Sequence, residues 1–427
     1  MKFLSILAIA FLLFSCKKEA KQITNQNDYK KYLEIEDTKS LEFAKGEIDF
    51  WQKKFDAAPN QISYLSQIAA NYAILFEKTG NIDNLLKTEE LLLKSNEASN
   101  YAFTAPIRSL ARNYISQHKF REALILAQKA LVLGDGMNET QKLLFDVNME
   151  LGNYAEAEKN LQALDSVRNF DYFIRYSKWS DHNGNLERAI AFMEKAKETV
   201  EFDNNKALKI WVYSNLGDLN GHAGNIENSY NYYLKTLELD NNNSYALKGI
   251  AWIVFSHERN TVEANRIIDI IAKKHDTPDF YLLKSKIADY ENNASSKKEN
   301  IDKYFQMLAS NKYGAMYNKY NMLLYADDKA TTEKALEIAQ IEVNSRPTPD
   351  SYDLLAWSYY NLGQVDEAFE IAQKYVADKS HEPILNYHLA MIYKAKKMND
   401  KVSEIKKDLQ GSVYELGPGF EKKIEQL

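Results

Sequence analysis

PDSYDLLAWSYYNLGQVDEAFEIAQKY, residues 349–375, decides the fold. Leu355, Ala356 and Tyr359 recur at the steps of one helix face, and Ala368, Ala372 and Tyr375 do so again further on. Gly363 stands between them, suited to the left-handed backbone that ends one helix and turns the chain into the next. The stretch therefore predicts a hairpin of two helices. Ala356 and Ala368 are small where the helices cross, which lets their axes approach to about 8–10 Å. Tyr359 and Tyr375 are large enough to fill the wider space between one hairpin and the next.

Outward from this stretch the phrase returns, a glycine followed five residues later by a small residue: Gly152 and Ala157, Gly184 and Ala189, Gly224 and Ser229. Its frame continues without glycine through His118 and Ala123, and through Lys397 and Val402. Several intervals are 34 residues: His118 to Gly152, Gly224 to Glu258, Gly363 to Lys397. Units are expected to begin near Ser66, Thr104, Asn138, Phe170, Ile210, Ser244, Pro278, Met316, Pro349 and Pro383, about ten in all, with the seventh and eighth the least regular. One hairpin cannot bury enough apolar surface to offset the entropy of ordering its chain, so such units stack and share a continuous core. Only 7 prolines and 15 glycines punctuate 427 residues, which fits one elongated array better than several globules.

The chain resembles a tetratricopeptide-repeat protein, whose unit is a helical hairpin of this length with small residues at the eighth and twentieth positions and an aromatic at the eleventh. Ala356, Tyr359 and Ala368 match that pattern, as do Ala111, Tyr114 and Ala123; the stretch from Ser66 to Ser412 carries the resemblance. Departures are Phe145 at a small position, Asn148 and Asn220 at aromatic positions, and His118 and Glu258 in place of the turn glycine. The resemblance implies an all-α, right-handed superhelical solenoid of about ten hairpins, residues 66–412. A capping helix is expected before it (41–65) and another after it (413–427). It also implies that binding lies on the inner groove lined by the first helix of each unit. Those positions are Arg108, Arg112, Trp211, Asp218, Tyr245, Lys248, Trp252, Phe255, Asp353, Trp357 and Tyr360. Two arginines four apart suit a carboxylate, and Trp252 beside Lys248 suits a peptide or a sugar ring.

Met1 and Lys2 precede an apolar run, residues 3–14, that is too short to span a bilayer as a helix and has the form of an export signal. Leu13, Phe14, Ser15 and Cys16 resemble a bacterial lipobox, with Phe14 bulkier than usual. That resemblance implies removal of residues 1–15 and lipidation of Cys16, the only cysteine in the chain, on a polar tether over residues 16–40. The net charge of -6 argues against a nucleic-acid surface. The seven histidines have no helical zinc spacing, and no catalytic motif or cofactor fingerprint is present. These features point away from an enzyme and toward a lipid-anchored scaffold for a protein or peptide partner in a bacterial envelope complex, on the outer membrane facing the periplasm or exposed at the surface. The alternative is a glycan-capturing lipoprotein similar to those of Bacteroidetes. Cys16→Ala is expected to abolish metabolic labelling with a fatty-acid analogue; persistence of the label would refute the lipobox reading.

Overall fold

Small side chains set the spacing of the hairpins. In the computed structural model, which describes residues 21–35, 38–164, 169–202 and 205–427, the second-helix residues Ala123, Ala157, Ala189, Ser229 and Ala368 have no exposed surface. Each sits where a first helix crosses a second. Ten hairpins follow one another among the described residues. The first pairs Ser63–Thr79 with Ile82–Ala98, and the second Thr104–Ser116 with Phe120–Leu133. Units 3 and 4 are Met137–Glu150 with Tyr154–Leu164 and Phe170–His182 with Leu186–Glu201. Unit 5 is Lys206–His222 with Ile226–Leu239, and unit 6 begins at Ser244–Trp252 and returns through Thr261–Ile271. Units 7 and 8 are Pro278–Tyr290 with Ala294–Leu308 and Asn318–Ala326 with Thr332–Ser345. Units 9 and 10 are Pro349–Asn361 with Val365–Tyr375 and Pro383–Ala395 with Asn399–Leu409. No strand occurs among the described residues. The helix Lys39–Ala57 packs along the first helix of unit 1, with Ile48, Trp51 and Phe55 against its core.

The left-handed turn position is occupied as the pattern requires, by Gly152, Gly184, Gly224 and Gly363, and by His118 and Lys397 at φ 58° and 61°. Unit 6 departs. Its first helix ends in a π-turn, Ile253–His257, which inserts one extra residue. The left-handed residue is therefore Arg259, at φ 61°, rather than Glu258.

Contacts between distant units show how tightly the array is wound. The turn of unit 1 meets the loop before unit 7, where Lys78 O lies 3.3 Å from His275 Nδ1 and Asp276 N–H donates to Thr79 O. The turn of unit 3 at Gly152 faces Pro347 and Thr348, before unit 9. Gly184 in unit 4 faces His381, before unit 10, and Gly221 in unit 5 faces Tyr414, after it. The turns of units 1, 3 and 4 each rest on the loop that opens the unit six places further on. Six units thus make one superhelical turn, and the second turn lies on the first. Arg121 reinforces the seam by donating to the Asn344 and Ser345 carbonyls, and Arg346 pairs with Glu150 at 3.5 Å. The irregular region before unit 8 serves the same seam. Tyr313 and Tyr317 are buried there against Ile82 and Leu85 of unit 1, and Lys312 pairs with Asp83 at 2.7 Å.

Two terminal expectations need correction. Residues 21–35, read as part of a tether, are docked: a helix Gln26–Glu34 buries Tyr29, Tyr32 and Leu33 against units 5 and 6. Those three residues form a stripe at i, i+3 and i+4. The C-terminal cap is two short helices, Val413–Leu416 and Phe420–Glu425, because Gly417 at φ 94° and Pro418 break the run. Leu416 and Ile424 are buried with Tyr387 and Leu409 of unit 10. The expected lipobox and Cys16 lie outside the described residues.

The seam can be tested at its closest glycine. A Cβ at Gly184 would come within 2.5 Å of the His381 ring, whereas at Gly363 it would meet nothing within 4 Å. Both glycines have positive φ, so Gly363→Ala should cost about 1–2 kcal/mol and Gly184→Ala about 2–4 kcal/mol. Urea unfolding monitored by circular dichroism measures both, and adding His381→Ala should return the Gly184 variant to the smaller loss.

Candidate functional site

First helices of successive units form the inner wall of the superhelix, and two chambers open along it. One, of about 510 Å³, is bounded by units 2 to 5 and lined by Arg112, Asp146, Arg175, Lys178 and Trp211 over an apolar floor of Ile115, Leu143, Ile174 and Met193. The other, of about 410 Å³, is bounded by units 5 to 8 and by the C-terminal cap. Asp218, Tyr245, Lys248, Trp252, Asp279, Lys286, Tyr320 and Tyr414 line it.

Close approach shapes the second chamber. The Tyr233 ring lies between Gly217 and Gly249, where a Cβ on either would come within 2.5 Å of a ring carbon. Its hydroxyl donates to Asp218 at 2.6 Å, and Tyr245 donates to the same carboxylate at 2.5 Å. Burial raises the Asp218 carboxyl above its ordinary range, and these two hydroxyls work in the opposite direction. Asp279 accepts from Tyr317 at 2.7 Å. The Glu415 carboxyl is pushed up by burial, toward its neutral form. The chamber's acids are thus engaged by phenols or drawn toward neutrality.

Its lysines are left uncompensated. Lys248 and Lys286 have no carboxylate within ion-pair distance among the described residues. The Lys286 ammonium stands 5.7 Å from the centre of the Trp252 ring, and Lys248 stands 5.6 Å from that of Tyr245. Enclosure by the surrounding wall lowers the Lys286 pKa, and Lys319, Lys423 and Lys248 lower it further. Lys286 nonetheless keeps an exposed side chain, because the wall encloses solvent as well as protein. The chemistry on offer is a pair of amines beside aromatic rings, a place for an anion carried on a flat or apolar body.

The expected groove residues separate into two groups. Arg112, Trp211, Asp218, Tyr245, Lys248 and Trp252 line the chambers. Arg108 does not: it is buried, and its guanidinium donates to Asp135 O, Gly136 O and Thr140 Oγ1 at the start of unit 3. The arginine pair is therefore no clamp, since only Arg112 reaches the chamber. Phe255 is core, 1% exposed, because the π-turn rotates it inward. Asp353 is buried and bonded to His388 Nδ1 at 2.8 Å. Trp357 is stacked against His388 at 4.0 Å and Tyr360 at 5.0 Å between ring centres, which is packing between units 9 and 10. Trp252 is held from behind: its indole N–H and the Ser256 hydroxyl both donate to Tyr414 O, at 3.2 and 2.6 Å.

Two features went unread. Lys286 stands eight residues after Pro278 in the irregular seventh unit, the place that Trp252 holds after Ser244 and Trp357 after Pro349, so the repeat frame marks it although it was not singled out. Glu258 carried a signal, its presence where the turn glycine belongs. Its carboxylate accepts from the Ile23 and Thr24 backbone N–H groups at 2.8 and 2.6 Å and from the Thr24 hydroxyl at 3.0 Å. Among the described residues no cluster of His, Cys, Asp and Glu is placed to hold a metal ion, and no helix is long and apolar enough to cross a membrane.

Stacked hairpins with a lined inner wall define a helical-repeat protein. Residues 212–243, from the first helix of unit 5 to the edge of unit 6, match the family model of the tetratricopeptide repeat; that unit is a tetratricopeptide repeat, and the other hairpins are built on the same frame. No curated protein matches the chain. Similar solved structures include PilF of Pseudomonas aeruginosa, 19% identical with a TM-score of 0.36 over 49% of this chain and 92% of that one. Human IFIT1 with m7Gppp-AAAA is 13% identical with a TM-score of 0.48, over 76% of this chain and 75% of its own. Yeast Tom70 is 14% identical with a TM-score of 0.36, over 91% and 93%. At these values the likenesses carry no argument about what this chain binds.

The electrostatics of the second chamber predict a chemical difference among the lysines. Under limiting acylation near pH 8, Lys286 should be modified ahead of solvated lysines such as Lys298, because more of it is uncharged. Peptide mapping by mass spectrometry reads the order; equal modification would show that the chamber does not perturb it.

Proposed function

We propose that this chain is a scaffold lipoprotein of the bacterial envelope that holds an acidic segment of a protein partner in its inner groove. The observation that carries the reading is the uncompensated positive charge of Lys248 and Lys286 inside a chamber whose acids are already occupied. Lys248 and Lys286 repel one another with no counter-ion at ion-pair distance, and a carboxylate entering between them would relieve that repulsion. Tyr245, Tyr320 and Trp252 offer surfaces for the apolar part of the same segment. The cap supplies an internal precedent, since Trp252 and Ser256 already hold a main-chain carbonyl at the chamber's edge. The leader and lipobox resemblance supports an anchored location, and outer membrane facing the periplasm is the preferred site.

A glycan reading requires an open aromatic platform. Trp357 is covered by stacking and Trp252 is engaged by the cap, which leaves Trp211, 42% exposed, as the ring that favours it.

Cross-linked affinity purification from intact cells, with mass spectrometry of what is recovered in constant proportion, tests the proposal. Lys248→Ala with Lys286→Ala should preserve helicity and sharply reduce recovery of the partner. Neither lysine has a carboxylate to lose, so this pair is a cleaner probe than Trp252→Ala, which would also release the cap. Undiminished recovery would overturn the chamber as the binding site. Recovery of saccharide without protein would favour the glycan reading.

A further inference from the structure

The docked N-terminal segment has more contacts than a linker needs. Its first described residue, Lys21, places its carbonyl 3.2 Å from His257 Nε2 at the turn of unit 6, where Glu258 then holds the Ile23 and Thr24 backbone N–H groups. Tyr230 donates its hydroxyl toward Asn25 O and the Asp28 carboxylate, both at 3.1 Å. Tyr29, fully buried, donates to Glu263 at 2.7 Å, and Arg266 braces that carboxylate from its other side. At the far end Lys274 donates to the Leu33 and Ile35 carbonyls, the latter at 2.5 Å. The segment is thus fastened at both ends and in the middle. A free polar leash would need none of these.

The fastening lies on the outer wall. The segment packs against the second helices of units 5 and 6, Ile226–Leu239 and Thr261–Ile271, whereas the first helices of the same units line the chamber on the other side. Its exit toward the N-terminus is at Lys21, beside the turn of unit 6. Five residue steps lead from Cys16 to Lys21, and at about 3.6 Å per extended residue they reach no further than about 18 Å.

We infer that this strap holds the solenoid side-on against a lipid surface, the outer wall of unit 6 nearest the lipid and the inner groove turned away from it. The inference rests on the anchored reading above. With six units to a superhelical turn, units 3 and 9 lie half a turn from unit 6 in either direction along the chain. A side-on solenoid carries both of them on its far wall. A solenoid standing on its end would instead bring one near the lipid and lift the other away.

Energy transfer from single dyes distinguishes these arrangements. The full lipidated chain would be placed in phosphatidylcholine–phosphatidylethanolamine vesicles carrying an acceptor on the headgroup. Cysteines introduced at Val262 in unit 6, which is 78% exposed, Lys159 in unit 3 and Glu367 in unit 9 would carry the donor; a lipidated Cys16 cannot take a maleimide. Transfer should be highest from Val262→Cys, and lower and alike from Lys159→Cys and Glu367→Cys. A large difference between the last two, or equal transfer from all three, would overturn the side-on arrangement. Glu258→Ala with Tyr29→Ala should release the strap and abolish the excess at Val262. Replacing residues 22–35 with a glycine–serine linker of equal length should do the same with the solenoid sequence intact. If the excess survives both changes, the strap does not orient the solenoid. If Cys16 reacts with maleimide and the chain fails to float with the vesicles, the anchored reading fails and this orientation fails with it.

Discussion

The structure depends on a contact between residues that the repeat treats as interchangeable: the left-handed turn of one hairpin against the loop that opens the unit six places on. A stacked array with neighbour contacts alone is free to choose its curvature. Here the curvature is set, because Lys78 and Thr79 bond to the segment around His275, Gly152 meets Pro347 and Gly184 meets His381. Once the second turn rests on the first, the inner surface stops being an open trough and becomes a walled space. The enclosure of the second chamber, which units 7 and 8 and the C-terminal cap complete, and the lowered pKa of Lys286 within it follow from that closure.

The hairpins were legible because their cause is local. A small residue at a helix crossing and a turn that tolerates positive φ leave a mark in sequence wherever they recur, as Ala157, Ala189 and Ala368 do. Curvature leaves no such mark. Of the positions expected to face a groove, Arg112, Trp211 and Lys248 therefore line the chambers, whereas Arg108, Asp353 and Phe255 are buried, because their surroundings depend on the next unit's tilt or on one inserted residue. The docked strap was missed for another reason. Tyr29, Tyr32 and Leu33 make a stripe one turn long in polar surroundings, too short to stand out before its binding surface on units 5 and 6 is known. Glu258 was noticed only as a defect in the pattern, and it is the residue that grips the strap.

Electrostatics divides the inner wall in a way that composition conceals. The chain is acidic overall, yet the second chamber is left with free positive charge, because phenol hydroxyls from Tyr233, Tyr245 and Tyr317 take up the carboxylates that would otherwise neutralise it. Tyrosine, the most frequent aromatic here with 28 copies, thus acts as a hydrogen-bond donor as well as a filler between hairpins. The same residue type that packs the array sets the charge of the space inside it.

The six-unit contact has a bearing on how such a chain can change. Helical arrays ordinarily lengthen or shorten by duplication and loss of whole repeats, since each unit asks only for a neighbour of the right shape. In this molecule, gaining or losing one internal unit would move every downstream loop one place out of step with the turn it rests on. Copy number is locked by geometry, and variation is channelled into the turns, the inserted residue of unit 6 and the two terminal segments.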